Sequence, residues 1–329
     1  MILRAGYISL AVLLLLCSPL GAVEGNGGYA GAFFQIPIGA RPTGMGGAYL
    51  AVSDDGAGTL FNPAGLANLQ RKLFSTSYRF LGLDRTLGYA TVVFPSRGQS
   101  AIGLNWLYAG SGEVTARDRN GRDLGRTLSE HNHSFGLIFA KRFEKYLSTG
   151  IHAKYLHSVF AEMTAFSLSF DFGLMVHVNQ FFDRETRDLM AVQDMRIGLT
   201  VKNIAAEYRW NNHNYLVKYR NPEALSTDQD DPVPLEFGLG GSARFLERKL
   251  LAAVDVRKNT KQSFDFHAGA EYQVAPEFTV RSGFSAGRFT AGTGYMFDLK
   301  HYKLAVDYAF STDRVGEGSE HIFSMDFLF

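Results

Sequence analysis

Ser319-Glu320-His321-Ile322-Phe323-Ser324-Met325-Asp326-Phe327-Leu328-Phe329 closes the chain, and its alternation decides what kind of protein this is. Successive side chains of a strand point to opposite faces. His321, Phe323, Met325, Phe327 and Phe329 therefore form one stripe, and Glu320, Ser324 and Asp326 take the other face. A soluble domain rarely ends on its most apolar strand. A membrane barrel has use for such a stripe, because one face of every strand meets lipid and the other a polar lumen.

The same period of two runs back through the chain. Phe264, Phe266, Ala268, Ala270, Tyr272 and Val274 oppose Asp265, His267, Gly269, Glu271 and Gln273. Phe166, Leu168, Phe170, Phe172, Leu174 and Val176 oppose Ser167, Ser169, Asp171 and Gly173. On this pattern Ala268 faces lipid and Gly269 a wet lumen. Roughly 14 segments have the 9 to 11 residues that cross a bilayer as a tilted strand. They start near Lys72, Thr86, Gln99, His131, Leu147, Thr164 and Asp194, then near Val233, Lys249, Ser263, Glu277, Arg288, His301 and Ser319. An even number closes an antiparallel barrel. Long polar connections at 110–130 and 206–232 contrast with short turns such as Pro95-Ser96-Arg97-Gly98 and Ala275-Pro276, which gives the barrel two unlike rims. The connection 179–193 breaks the rule, being long on the short-turn side. The expected fold is all-β: a transmembrane antiparallel β-barrel of about 14 strands over residues 71–329.

Composition agrees. With 35 Gly, 27 Phe and 15 Tyr, and a mean hydropathy of -0.06, the chain is aromatic-rich yet not uniformly apolar. Its 33 Lys+Arg balance 32 Asp+Glu, which excludes a nucleic-acid binder that works by neutralising phosphates. Arg4, the apolar run 8–16 and the small residues of Pro19-Leu20-Gly21-Ala22 predict an export signal over 1–22, read by the general secretory pathway. The lone cysteine, Cys17, lies inside that signal, which leaves no pair for a disulfide.

Between signal and barrel, residues 23–70 are neither a good helix nor a good strand. Residues 29–69 are too glycine-rich for a strand and too apolar for a solvated tail. Asn62 is placed to cap a short helix beginning at Pro63, where a missing N–H costs nothing. The nearest wall for such a segment is the barrel interior, so it is expected to plug the lumen.

The words GAFFQIPIGARPTGMGGAYLAVSDD (31–55) and FNPAGLA (61–67) resemble the N-terminal region of the PorV/PorQ family of outer-membrane proteins, relatives of the FadL-type long-chain fatty acid transporters. Beyond Leu69 the resemblance is one of pattern. It implies a plug inside a 14-stranded barrel in the outer membrane of a Gram-negative-type bacterium. Its partners would be the lipid bilayer and the barrel-assembly machinery, which would read the terminal Phe329. The implied function is non-enzymatic passage or binding of hydrophobic or amphipathic small molecules, with Phe33, Phe34, Ile36, Pro37, Arg41, Met45, Asn62 and Pro63 as plug, gate and ligand contacts. The PorV side of the resemblance implies a different role, a component of a type IX protein secretion system that binds secreted cargo or partner subunits.

No catalytic, metal or cofactor site is expected. Gly44-Met45-Gly46-Gly47 lacks the preceding strand and following helix that a phosphate cradle needs. In His131-Asn132-His133-Ser134 the two imidazoles share a face without a third ligand, and Ser134 points away from His133. They read as polar residues at a barrel rim. His152, Lys154, Asp171, Arg196, Lys202, Asp255, Asp265, His267, Glu271, Arg281 and Asp307 are placed on the lumen face, since charges against lipid would cost several kcal/mol each.

Overall fold

A computed structural model describes residues 29–118, 120–213, 229–312 and 318–329. The expected export signal, residues 1–22, and residues 23–28 of the segment after it lie outside the described residues. The first strands are β1 (Leu73–Phe80), β2 (Thr86–Ser96), β3 (Ser100–Gly110), β4 (Val114–Arg117), β5 (Asp123–Leu128) and β6 (Glu130–Phe143). They are followed by β7 (Leu147–Phe160), β8 (Met163–His177), β9 (Gln193–Ile204), β10 (Glu207–Asn211), β11 (Gln229–Pro232) and β12 (Glu236–Phe245). The last are β13 (Leu250–Asn259), β14 (Phe264–Gln273), β15 (Phe278–Ser285), β16 (Arg288–Leu299), β17 (Tyr302–Ser311) and β18 (Glu320–Leu328).

Fourteen of these strands make a closed antiparallel barrel, β8-β7-β6-β3-β2-β1-β18-β17-β16-β15-β14-β13-β12-β9, with β9 returning to β8. Chain ends meet within it: Leu73 of β1 lies opposite Leu328 of β18, and Phe80 opposite His321. The expected strands are all present, each starting within a few residues of its sequence position. The long connections are not bare loops, however. β4 and β5 pair as a separate hairpin, and β10, paired with β11, adds to the edge of β8 opposite Thr164 to Phe166. The long connection on the short-turn side is also structured. It holds a 3-10 turn, Val178–Phe181, and a helix, Arg184–Leu189, whose Asp183 cap accepts the Thr186 N–H at 2.7 Å.

The barrel is apolar outside and polar within. Leu104, Phe135, Leu168 and Phe266 are half or more exposed on the outer face, while Asn105, Ser134, Ser169 and His267 are buried on the inner one. A belt of this kind is stable only against lipid. Among the described residues no helix is long and apolar enough to cross a membrane.

Residues 29–69 pack against the inner face as a chain of single turns: Ala32–Gln35, Ala40–Gly44, Gly58–Phe61 and Pro63–Asn68. Ala30 belongs with Leu156, Ala165, Tyr208 and Val233, near the rim that carries the hairpins. Leu66 and Ala67 belong with Leu73, Val93, Ala101 and Ala140, near the short-turn rim. The segment therefore runs the length of the lumen, and Met45, Tyr49 and Leu50 at its middle are fully buried. Contact is close because inward strand positions carry glycine. A Cβ on Gly269 would sit 2.1 Å from the Met45 carbonyl oxygen, and one on Gly198 would sit 2.3 Å from that of Leu50. Gly269 does face inward as its alternation requires, but it meets packed protein. The expectation of a wet lumen there is wrong, because the inner segment fills the space.

Candidate functional site

The site is the seam between the inner segment and the wall. An irregular segment cannot satisfy its backbone by a ladder of its own, so wall side chains must meet the N–H and C=O groups it buries. Asp255 Oδ2 on β13 accepts the N–H groups of Tyr49 (2.7 Å) and Leu50 (3.0 Å). Ser324 on β18 accepts the Ala40 N–H at 2.6 Å, and Ser242 on β12 donates to the Ala51 carbonyl at 3.0 Å. Arg79 and Arg257 donate to the carbonyls of Pro37 and Gly47, and Glu320 pairs with Arg79.

Arg41 is the charged centre of the seam. Its Nε and Nη2 donate to the two oxygens of Glu271 on β14 at 2.7 and 3.0 Å, a bidentate geometry that only a guanidinium offers. Its Nη1 reaches Asp54 at 2.7 Å and Asp55 at 3.3 Å within the segment. The relay continues along the wall, from Glu271 to Arg281 at 2.7 Å and from Arg281 to Asp307 at 2.6 Å. The Tyr49 hydroxyl donates to Asp55 at 2.5 Å. A single arginine thus ties the segment to β14 directly and to β15 and β17 through Glu271.

Asn62 anchors the other end. Its Oδ1 accepts the Ala64 N–H at 3.1 Å, the cap expected from sequence, over a turn that is 3-10 rather than α. Its Nδ2 donates to the carbonyls of Leu50 (2.8 Å) and Leu174 (3.2 Å), so one side chain joins the cap, the segment's middle and β8. Pro63 lies against the β7 and β8 backbone at Gly150 and Gly173.

Toward the hairpin rim the seam opens into a small cavity. Phe33, Phe34, Ile36, Pro37, Ile38, Leu60, Phe61 and Leu107 make one side, and Lys154, Asp171, Lys202, Asn203, Glu236 and Arg257 make the other. Its free volume is about 50 Å³, room for a few waters and too little for an organic molecule. The cations are paired, Lys154 with Asp171 at 2.7 Å, Lys202 with Glu236 at 3.4 Å and Arg257 with Asp255 at 3.0 Å. They also cover aromatic rings of the segment: Lys154 lies 4.9 Å from the Phe34 centroid, and Arg257 5.2 Å from that of Phe61. Beside them β9 bulges at Asn203, whose φ is 63°. Its N–H donates to Asp171 at 2.9 Å, and its Oδ1 accepts from Lys154 at 2.8 Å.

Of the residues singled out from sequence, Phe33, Phe34, Ile36 and Pro37 come together at the cavity. Arg41 and Met45 stand deeper, in the ionic relay and against the Gly269 backbone, and Asn62 and Pro63 lie toward the opposite rim. Phe329 is apart from all of them. Its N–H bonds to the Lys72 carbonyl at 2.9 Å, and its ring stacks on Phe327. The wall partners Glu271, Asp255 and Asn203 were not picked out as anchors. Inward-facing glycines at strand positions, such as Gly150, Gly173, Gly198 and Gly269, are the signal that marks where the segment lies. In the Gly44–Gly47 turn the Gly46 and Gly47 N–H groups bond to Thr43 and Pro42 carbonyls, so neither is offered to a phosphate. His131 and His133 lie on the outer face near the hairpin rim, with Ser134 turned inward. Among the described residues no three His, Cys, Asp or Glu side chains gather as metal ligands.

No protein-family model matches this chain, and neither does any curated protein. Solved structures do. The Ralstonia pickettii toluene transporter TbuX superposes with a TM-score of 0.60 at 14% identity, covering 88% of this chain and 97% of that one. The Pseudomonas putida toluene transporter TodX gives 0.58 at 11% identity over 88% and 96%, and a Pseudomonas aeruginosa FadL homologue 0.56 at 11% over 89% and 98%. The shared property at these identities is the fold, and the nearly full coverage on both sides makes it the whole fold. The FadL-like half of the resemblance is thereby supported at the level of architecture. None of the comparisons supports the PorV/PorQ half.

Proposed function

We propose that the chain is a non-enzymatic outer-membrane channel for hydrophobic or amphipathic small molecules, with residues 29–69 as its gate. The cavity under the hairpin rim carries the reading. One side of it is aromatic and aliphatic, the other bears paired charges, and the two are closed on each other with no room for a ligand. An amphipathic solute would replace these contacts in kind: apolar body against Phe33, Phe34 and Ile36, polar end toward Lys154 and Lys202. The element that closes the cavity, Ala32–Gln35, is a single 3-10 turn, entered by the Phe34 N–H bond to Gly31 and left by the Ile36 N–H bond to Phe33. It is the part of the segment able to move first. Passage beyond it requires release of the Arg41 relay. The apolar outer belt and the likeness in fold to toluene transporters support a place in the outer membrane and a hydrophobic cargo. Assembly would depend on machinery reading the Phe329 end. Nothing in the fold or the comparisons favours the secretion-component role.

The test is uptake of tritiated dodecanoate by cells with an intact outer membrane, with and without the protein. Faster uptake on expression, reduced by Phe34→Trp, supports a channel for such solutes. Equal uptake contradicts it.

A further inference from the structure

The outer face carries a feature that transport does not use. His131 and His133 on β6 and His157 on β7 face outward near the hairpin rim, and His133 lies directly opposite His157, with ring centroids 6.4 Å apart. The Trp106 indole N–H donates to His133 Nδ1 at 3.2 Å, and the Tyr108 hydroxyl lies 2.9 Å from His131 Nδ1. With Nδ1 accepting from the indole, His133 keeps its proton on Nε2, so that edge of the ring is a donor. His133 also stacks on Phe135, the next outward residue of its strand. Immediately below, these two strands and their neighbours β3 and β8 bound an apolar groove of about 500 Å³. Ala153 on β7 forms its floor, with Leu137 of β6 on one side and Phe170 of β8 on the other, and Phe135, Tyr155 and Leu168 line the end toward the histidines. The groove exists because a small residue stands among large ones on the lipid-facing surface.

We infer that this strip binds one membrane lipid bearing a phosphate headgroup, with the phosphate at His131, His133 and His157 and an acyl chain in the groove over Ala153. Donors sit at headgroup level, the groove lies toward the membrane middle, and His133 and Phe135 join the two on one strand. A neutral imidazole donates to phosphate oxygens through its ring N–H, whereas aromatic rings alone would anchor the barrel without selecting a headgroup. The groove opens only onto the lipid belt, which makes an acyl chain its occupant. This site is on the opposite face of the wall from the cavity, so it stands or falls independently of the gate.

The test is native mass spectrometry of the full-length protein in detergent, titrated with dioleoyl phosphatidic acid or with dioleoylglycerol, which differs only by the phosphate. The site predicts a one-to-one adduct with the phosphatidic acid at concentrations about tenfold below those needed for the diacylglycerol. His133→Asn combined with His157→Asn should abolish that preference, while Ala153→Phe, which fills the groove, should weaken retention of both lipids. Equal retention of the two lipids by the unaltered protein, or undiminished phosphatidic acid retention in both variants, overturns the inference. Ala153→Phe only adds apolar surface to a lipid-facing position, so it keeps the test available if the double variant does not assemble.

Discussion

Arg41 shows how much one side chain settles. It holds Glu271 by two bonds and two segment carboxylates besides, all of them largely shielded from water. Removing one partner of a buried ion pair leaves charge uncompensated, at a cost of about 3–5 kcal/mol. Arg41→Ala should therefore undock the middle of the segment while leaving the barrel closed, read as faster hydrogen exchange at the Tyr49 and Leu50 amides with no change at β14. Unchanged exchange at those amides would show that Asp255 alone holds them. Adjacent residues of β14 separate the two faces of the wall. Ala268→Arg places a charge against lipid at about 2–4 kcal/mol near the midplane, and should lower the yield of heat-modifiable barrel. Gly269→Arg meets the Met45 backbone instead, and should give assembled barrels with a displaced segment and raised conductance. Equal loss of assembly in both would contradict the assignment of faces. Alternation alone told these residues apart. It said nothing of what fills the lumen, because Met45 is more than two hundred positions away in the chain.

At the scale of elements, legibility followed the environment of each strand. Those between lipid and lumen show an uninterrupted period of two, and so all fourteen could be placed. The β4–β5 hairpin shows none, since Asp123–Leu128 is mostly exposed on both faces and no burial selects its residues. The Asn203 bulge was invisible for another reason. Asn tolerates positive φ better than most residues, but the bulge turns its N–H onto Asp171 of the neighbouring strand β8, a contact that no local pattern announces. The turn at Pro63–Asn68 was legible because its cap is local. Asn62→Ala should cost about 0.5–2 kcal/mol for the cap, with more from the lost bonds to Leu50 and Leu174, and should show as protease sensitivity in 50–69. Protection equal to that of the unaltered protein would mean that packing against β7 and β8 suffices. Phe329→Asp should reduce the amount of assembled barrel in the outer membrane by removing the ring stacked on Phe327; normal amounts would deny the terminal stripe a part in assembly.

For the whole molecule, the candidate site was half legible. The apolar segment, its capped end and the lumen charges were all identifiable, yet which charge meets which was not, because Arg41 and Glu271 are 230 positions apart. Closure around the segment makes those pairs, and it also packs the lumen: Met45, Tyr49 and Leu50 are fully buried, and the cavity beside Phe33 and Phe34 has about 50 Å³ free. The central claim is that this core is a gate. Single-channel conductance in planar bilayers tests it most directly, comparing the intact protein with a variant lacking 31–55 that keeps the Asn62 turn. If residues 29–69 close the lumen, the variant inserts as a folded barrel and conducts more than the intact protein; normal insertion with no gain in conductance contradicts the account.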